Sequence, residues 1–208
     1  MPKILLINPP TPFLAYPNAA PHIGIGYLLA YLRENGFEAC YLNLENEDPA
    51  SIILPESYDY YGITAVTAQY HYAKLLLKQI KTRKLGKTIL GGAHASLLPD
   101  ECFNNGFDYV VKGYGEYALL NIMKNKLPEG VILGEFVHDL DSIPFPAWDD
   151  LLHSNYEISY GDNVAHIFSM RGCPYTCSYC ASVEIFGPQV GFRSVQNVVD
   201  EVNFLKKN

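Results

Sequence analysis

At 208 residues the chain exceeds the roughly 100–150 residues of a typical domain yet is short for two, so one domain plus a small or incomplete second unit is expected. Hydrophobic residues make up 49% and charged residues 18%, which excludes a disordered chain. The net charge of −7, with 15 scattered Lys and Arg, excludes a general nucleic-acid binder, because neutralising phosphates needs clustered basic residues.

Met1 to Ile7 carries one lysine and an apolar run without a small-residue cleavage site, so it does not read as a signal peptide. The longest nearly apolar stretch, Ile23 to Leu32, is about half of a membrane span. A cytoplasmic protein with no membrane partner is expected. Lys3 to Asn8 is a short apolar run stopped by Pro9 and Pro10, as suits a strand buried on both faces of a parallel sheet. Ile23 to Asn35 carries Ile25, Leu28, Leu29 and Leu32 at helical spacing, with Gly36 where a helix ends. Phe37 to Leu44 and Tyr58 to Thr64 read as further strands, and Gln69 to Thr82 as a helix with Leu75, Leu76 and Ile80 on one side. Thr88 to Leu90 runs into Gly91-Gly92, and Asp108 to Val111 runs into Gly113 and Gly115.

Five strands alternating with helices predict right-handed crossovers and an α/β, doubly wound parallel sheet. Ligands of such sheets sit at the strands' carboxyl ends, here the loops 8–22, 64–70, 91–98 and 113–116. Residues 1–127 form this domain. Residues 128–163, rich in Pro, Gly and Asp, read as a linker with one short strand at Val131 to Leu133. A second unit, 164–208, opens with a strand-like His166 to Met170 and closes with a helix, Val195 to Leu205, that puts Val198, Val199, Val202 and Leu205 on one face.

Between them lies the most specific signal, Arg171-Gly172-Cys173-Pro174-Tyr175-Thr176-Cys177-Ser178-Tyr179-Cys180. Three thiols on one tight loop can turn toward a single iron–sulfur cluster, since thiolates are its preferred ligands. A zinc site completed by His166 or His153 is the alternative metal reading. Cys40 and Cys102 read as small buried apolar residues.

This segment resembles the radical S-adenosylmethionine (SAM) superfamily, whose hallmark is Cys-x3-Cys-x-aromatic-Cys; Tyr179 supplies the aromatic. What precedes it resembles the cobalamin-binding, Rossmann-like domain of one large branch of that superfamily. The resemblance is carried by Asn8-Pro9-Pro10, Gly62-Ile63-Thr64 with Thr67, Gly91-Gly92-Ala93-His94 and Gly113-Tyr114-Gly115-Glu116, then by Asp139-Leu140-Asp141 and Ile143-Pro144-Phe145-Pro146-Ala147.

The resemblance implies a 4Fe-4S cluster on Cys173, Cys177 and Cys180, with SAM on the open iron beside Tyr179. It implies cobalamin contacts at Pro10, Thr64, Thr67, Gly91, Gly92, His94, Gly113, Gly115 and Glu116. The implied chemistry is reductive cleavage of SAM to a 5'-deoxyadenosyl radical and methyl transfer to a small-molecule substrate, with a reductant as partner. A radical SAM (TIM-like) barrel needs about six strand–helix units, and only the first follows Ala165, so the remaining barrel residues are expected in cis or in trans.

Two departures stand out. The Asp-x-His-x-x-Gly loop of cobalamin-dependent methyltransferases and mutases has no counterpart between Asn8 and Gly24, where His22 reads as a loop or helix-start residue. The family's usual Gly-Glu-Gly-Glu lacks its first glutamate. Two other functions stay open. One is a non-catalytic cobalamin carrier or sensor with a remnant cysteine loop. The other is a dinucleotide-binding oxidoreductase, from Gly113-x-Gly115-x-x-Ala118 and Glu135 beyond it.

Overall fold

The computed structural model describes residues 1–17, 20–152 and 165–207. The expected linker's stretch 153–163, the second unit's first residue and His153 lie outside the described residues.

Strand β1 (Lys3–Asn8) alternates its apolar side chains between two cores: Ile4 and Leu6 enter one, Leu5 and Ile7 the other. With both faces apolar, the strand is stable only between two helical layers. Helix α1 (Ile23–Glu34) starts where His22 Nδ1 accepts a hydrogen bond from the Ile25 N–H at 3.3 Å, so His22 is a helix cap. After α1 come β2 (Glu38–Asn43), β3 (Tyr60–Thr64) and α2 (Tyr70–Arg83), which ends on Lys84 in the left-handed region. Then come β4 (Lys87–Gly91), short helices α3 (Ala93–Leu97) and α4 (Pro99–Asn104), β5 (Tyr109–Gly113), α5 (Glu116–Met123) and β6 (Gly130–Gly134).

All six strands pair in parallel in the order β2-β1-β3-β4-β5-β6, a Rossmann-like doubly wound sheet. Side chains of α2 and α4 join Leu5, Ile7, Tyr61 and Ile63 on one face. Those of α1 and α5 join Ile4, Leu6, Ile89 and Val111 on the other. The β5–α5–β6 unit therefore advances along the sheet in the same direction as β3–α2–β4 but with its helix on the opposite face. Its crossover has the opposite hand, and the expectation of uniformly right-handed connections does not hold there.

The strand foreseen at Val131 to Leu133 joins the main sheet as its sixth member. Its outward side chains, Val131 and Leu133, are 39% and 73% exposed, the pattern of an edge strand, which explains its faint sequence signal. Beyond it, Val137, Leu140, Ile143, Trp148 and Leu151 pack on Ile23 and Tyr27 of α1, and helix α6 (Trp148–Leu152) is tied to α1 by Arg33–Asp150 hydrogen bonds of 2.5 and 2.9 Å. The stretch expected to be a linker is thus packed on the domain as far as it is described.

The segment expected to open a barrel forms β7 (Met170–Gly172), α7 (Ser182–Phe186), β8 (Val190–Phe192) and α8 (Val195–Leu205). β7 pairs antiparallel with β8, a three-residue strand too short to leave a sequence signal. On α2 the buried partner of Leu76 is Leu77, while Leu75 points outward; on α8 Val199 is exposed and the buried position is Glu201. No helix among the described residues is long and apolar enough to cross a membrane.

Leu29, fully buried between α1 and the sheet, and Leu133 make a matched test of this packing. Leu29→Ala is expected to lower unfolding free energy by about 2–5 kcal/mol and Leu133→Ala by no more than about 0.5 kcal/mol, measured by urea titration.

Candidate functional site

The order of the sheet reverses between β1 and β3, where the helices that follow leave on opposite faces. A cavity of about 440 Å³ opens on the α1/α5 face at this point. Its floor is Leu6, Gly62 and Ile89, its walls are α1 at Leu28 and α5 at Leu119, and its rim is formed by the strand ends Thr64, Gly91 and Gly113. A volume of this size, mostly apolar with a few polar groups, is that of a small-molecule or cofactor site.

Three glycines shape it differently. At Gly62 a Cβ would lie 2.6 Å from Leu6 Cδ2, so a side chain there would displace the buried Leu6 from the floor. Gly92, at φ +90, lets the end of β4 abut β3, where a Cβ would fall 2.7 Å from Thr64 Oγ1. Gly91 has neither constraint: a Cβ there would meet nothing within 4 Å. Its missing side chain keeps the cavity open rather than satisfying the fold.

The second unit supplies the remaining wall. Phe168, Met170, Arg171 and Phe186 line the same cavity. Arg171 Nη1 donates to Glu116 Oε1 at 2.5 Å, with the two side chains only 16% and 5% exposed. The Arg171 guanidinium also lies 4.6 Å from the centre of the Tyr27 ring. Tyr27 in turn stacks on Phe168 and accepts a hydrogen bond from Arg193, whose partner is the fully buried Glu201. Burial pushes the Tyr27 hydroxyl up to about 12. Tyr114 lines the cavity with its hydroxyl buried and unpartnered among the described residues, and burial likewise raises its pKa.

Of the residues expected to hold cobalamin, the structure gathers Thr64, Gly91, Gly92, Gly113, Gly115 and Glu116 around this cavity. Pro10, Thr67 and His94 do not line it. His94 is buried behind the rim, its ring 3.8 Å from that of Tyr70, its Nδ1 3.2 Å from Thr67 Oγ1 and its Nε2 unpartnered among the described residues. Burial holds its pKa below the ordinary histidine value, so the ring is neutral at pH 7. Sequence reasoning missed Tyr27, which reads as one more apolar position on α1. It also missed the cavity wall from Phe168 and Phe186, which only tertiary packing brings there.

Cys173, Cys177 and Cys180 share the loop between β7 and α7, half-buried, exposed and exposed in turn. The Cys180 N–H bonds to the Cys177 carbonyl at 3.0 Å, closing a turn. Hydrogen bonds from Ser182 hold the Cys180 thiol below its ordinary value. Among the described residues no three metal-ligating side chains are already drawn together, either around this loop or with His166. Tyr179 is 90% exposed beside Cys180.

A doubly wound parallel sheet with an apolar cavity at its switch point defines a cofactor- or nucleotide-binding α/β domain. Residues 13–123 match the family described as the B12 binding domain, and the chain belongs to that family. It is 25% identical to cytidylyl-2-hydroxyethylphosphonate methyltransferase of Streptomyces wedmorensis, over 96% of this chain and 51% of the relative. It is 27% identical to an uncharacterised methyltransferase of Pyrococcus horikoshii, over 98% of this chain and 50% of the relative. The chain thus spans about half the length of these curated relatives. Among solved structures it superposes over its whole length on the cobalamin-dependent S-adenosylmethionine radical enzyme OxsB, covering 32% of that chain, with a TM-score of 0.77 and 18% identity. It also superposes on the radical S-adenosylmethionine methyltransferase TsrM of Kitasatospora setae, covering 46% of that chain, with a TM-score of 0.62 and 19% identity.

The folded-state pKa values of His22 and His94 are both depressed, chiefly by burial. The unfolded chain then binds more protons in acid, so this contribution to stability is complete above about pH 6.5 and is lost as pH falls toward the folded-state values. Urea unfolding across pH 5–7.5 should show this acid loss, reduced in a His94→Phe variant that keeps the ring against Tyr70.

Proposed function

We propose that this chain holds cobalamin in the switch-point cavity and a 4Fe-4S cluster on Cys173, Cys177 and Cys180, as part of a cobalamin-dependent radical SAM methyltransferase acting on a small molecule. The observation that carries the reading is the cavity itself, walled on one side by the B12-binding fold and on the other by residues leading directly into the cysteine loop. Membership of the B12-binding family supports cobalamin.

The residues present fit both groups. Gly91 leaves space that a ligand can fill, beside a mostly apolar lining with the polar side chains of Thr64, Glu116 and Arg171. The cavity would take part of cobalamin, with Thr64, Gly92 and Gly113 at its rim to meet the rest. For the cluster, three thiols on one short loop are a suitable donor set. When bound, the cluster with SAM supplies radical generation and cobalamin supplies methyl transfer; the protein's share is binding, orientation and exclusion of side reactions. A reductant is required, and the barrel residues beyond the described unit come in cis or in trans.

The dinucleotide reading is weaker. The N-terminus of α5, where a pyrophosphate would sit, carries Glu116, a buried carboxylate already neutralised by Arg171. The carrier or sensor reading shares the cavity and differs at the cysteines.

Anaerobic reconstitution of the wild type and of a variant with Cys173, Cys177 and Cys180 all changed to alanine separates the readings. A four-iron electron paramagnetic resonance signal that needs the triad and shifts with SAM is expected. Hydroxocobalamin binding without any cluster would favour the carrier. In a second arm, Gly91→Leu should leave the melting transition unchanged and weaken hydroxocobalamin at least about tenfold, the equivalent of 1.4 kcal/mol. Unchanged affinity would remove cobalamin from this cavity.

A further inference from the structure

We propose that Arg171 is a positioning residue that couples occupancy of the cavity to assembly of the cysteine loop, an inference that rests on the cobalamin and cluster reading above. Arg171 stands two residues before Cys173, and its guanidinium is held by Glu116, at the start of α5, and by the ring of Tyr27, on α1. All three side chains line the cavity, as does Gly172. The link to the cysteines is stiff. Gly172 has φ +89, and a Cβ there would fall 1.9 Å from the Gln189 carbonyl oxygen, so the backbone between Arg171 and Cys173 is clamped against β8.

An ion pair almost wholly removed from water contributes little net stability, because desolvating both partners offsets their attraction. Its geometry is demanding, since guanidinium and carboxylate are satisfied together only at one placement. While the pair is intact, the loop therefore has one low-energy position against the cavity wall. A ligand filling the cavity touches Glu116, Arg171 and Tyr27 together, so its affinity differs between the held and released positions of the loop. A cluster on the loop must then change the ligand's affinity by the same factor with which the ligand changes the cluster's.

The experiment titrates hydroxocobalamin into the 208-residue protein before and after anaerobic iron–sulfur reconstitution, following the cobalamin absorbance. The two wild-type forms are expected to differ in affinity at least about fivefold. In Glu116→Gln/Arg171→Met both charges leave together, which spares the fold an unpaired buried charge. There the two forms should bind with equal affinity while the triad still assembles its four-iron signal. Arg171→Lys, which keeps the cation and loses the planar contact with Tyr27, should give an intermediate ratio and serves if the double variant does not fold. A fivefold ratio retained in either variant overturns the role of Arg171. Equal affinities in the wild type do the same while leaving both cofactors in place. A wild type that binds no hydroxocobalamin overturns the underlying reading as well.

Discussion

Two carboxylates and two guanidiniums meet around Tyr27, and their burial constrains everything that joins the sheet to the cysteine loop. Glu116 and Arg171 form one pair, Glu201 and Arg193 the other, and the most exposed of the four side chains is only 16% accessible. Charges this deep are tolerated only when each is matched and hydrogen-bonded. Trp148 Nε1 donates to Glu201 at 2.9 Å, and Arg193 reaches the Phe168 carbonyl and the Asn197 side chain. The partners come from α1, α5, α6, β7 and the approach to it, the turn between β8 and α8, and α8. The Glu116–Arg171 pair crosses between the two units, so the second unit cannot leave the first without stranding a buried charge.

The cavity follows from topology. A parallel sheet whose order reverses between β1 and β3 sends α1 and α2 to opposite faces, leaving the strand ends between them uncovered. α5 then narrows the opening by returning on the face of α1, against the usual hand, and presents Glu116 to the second unit. The unusual hand and the ion pair belong together: were α5 on the other face, Glu116 would lie across the sheet from Arg171. The cost is a short, poorly covered edge strand, β6, with Leu133 facing solvent.

Much of the fold was legible in the sequence because its core strands are apolar on both faces and bounded by Pro or Gly. Lys3 to Asn8 and the helix from Ile23 show this most clearly. Legibility failed where tertiary context supplies the stability. β6 was seen as a strand but not as a member of the sheet, β8 is short and half-exposed, α3 and α4 are five and six residues long, and Leu75 and Leu77 exchange roles because the apolar face of α2 is rotated from the one chosen. At the site, the glycines at strand ends were readable from chemistry, since close backbone approach is what glycine permits. His94 lies apart from them: α3 begins at Ala93 and carries the ring behind the rim, against Tyr70. Glu116 was singled out as a cofactor contact, and its partner Arg171 was seen only as part of the cysteine motif. Their pairing over 55 residues is a property of packing that no local pattern encodes.

Glu201 shows how far this logic extends. It is the fully buried residue of a helix whose other inward positions are only half-covered, and it holds an ion pair where a valine or leucine would pack. An apolar residue there would serve stability as well or better. What the pair adds is direction: Arg193, in the turn between β8 and α8, is held by Glu201 and Asn197 of α8 and faces Tyr27, which is also the residue that carries Arg171. The two cations approach one aromatic ring from different elements, and each is neutralised by its own carboxylate. A wall built this way keeps a single shape beside an otherwise apolar cavity.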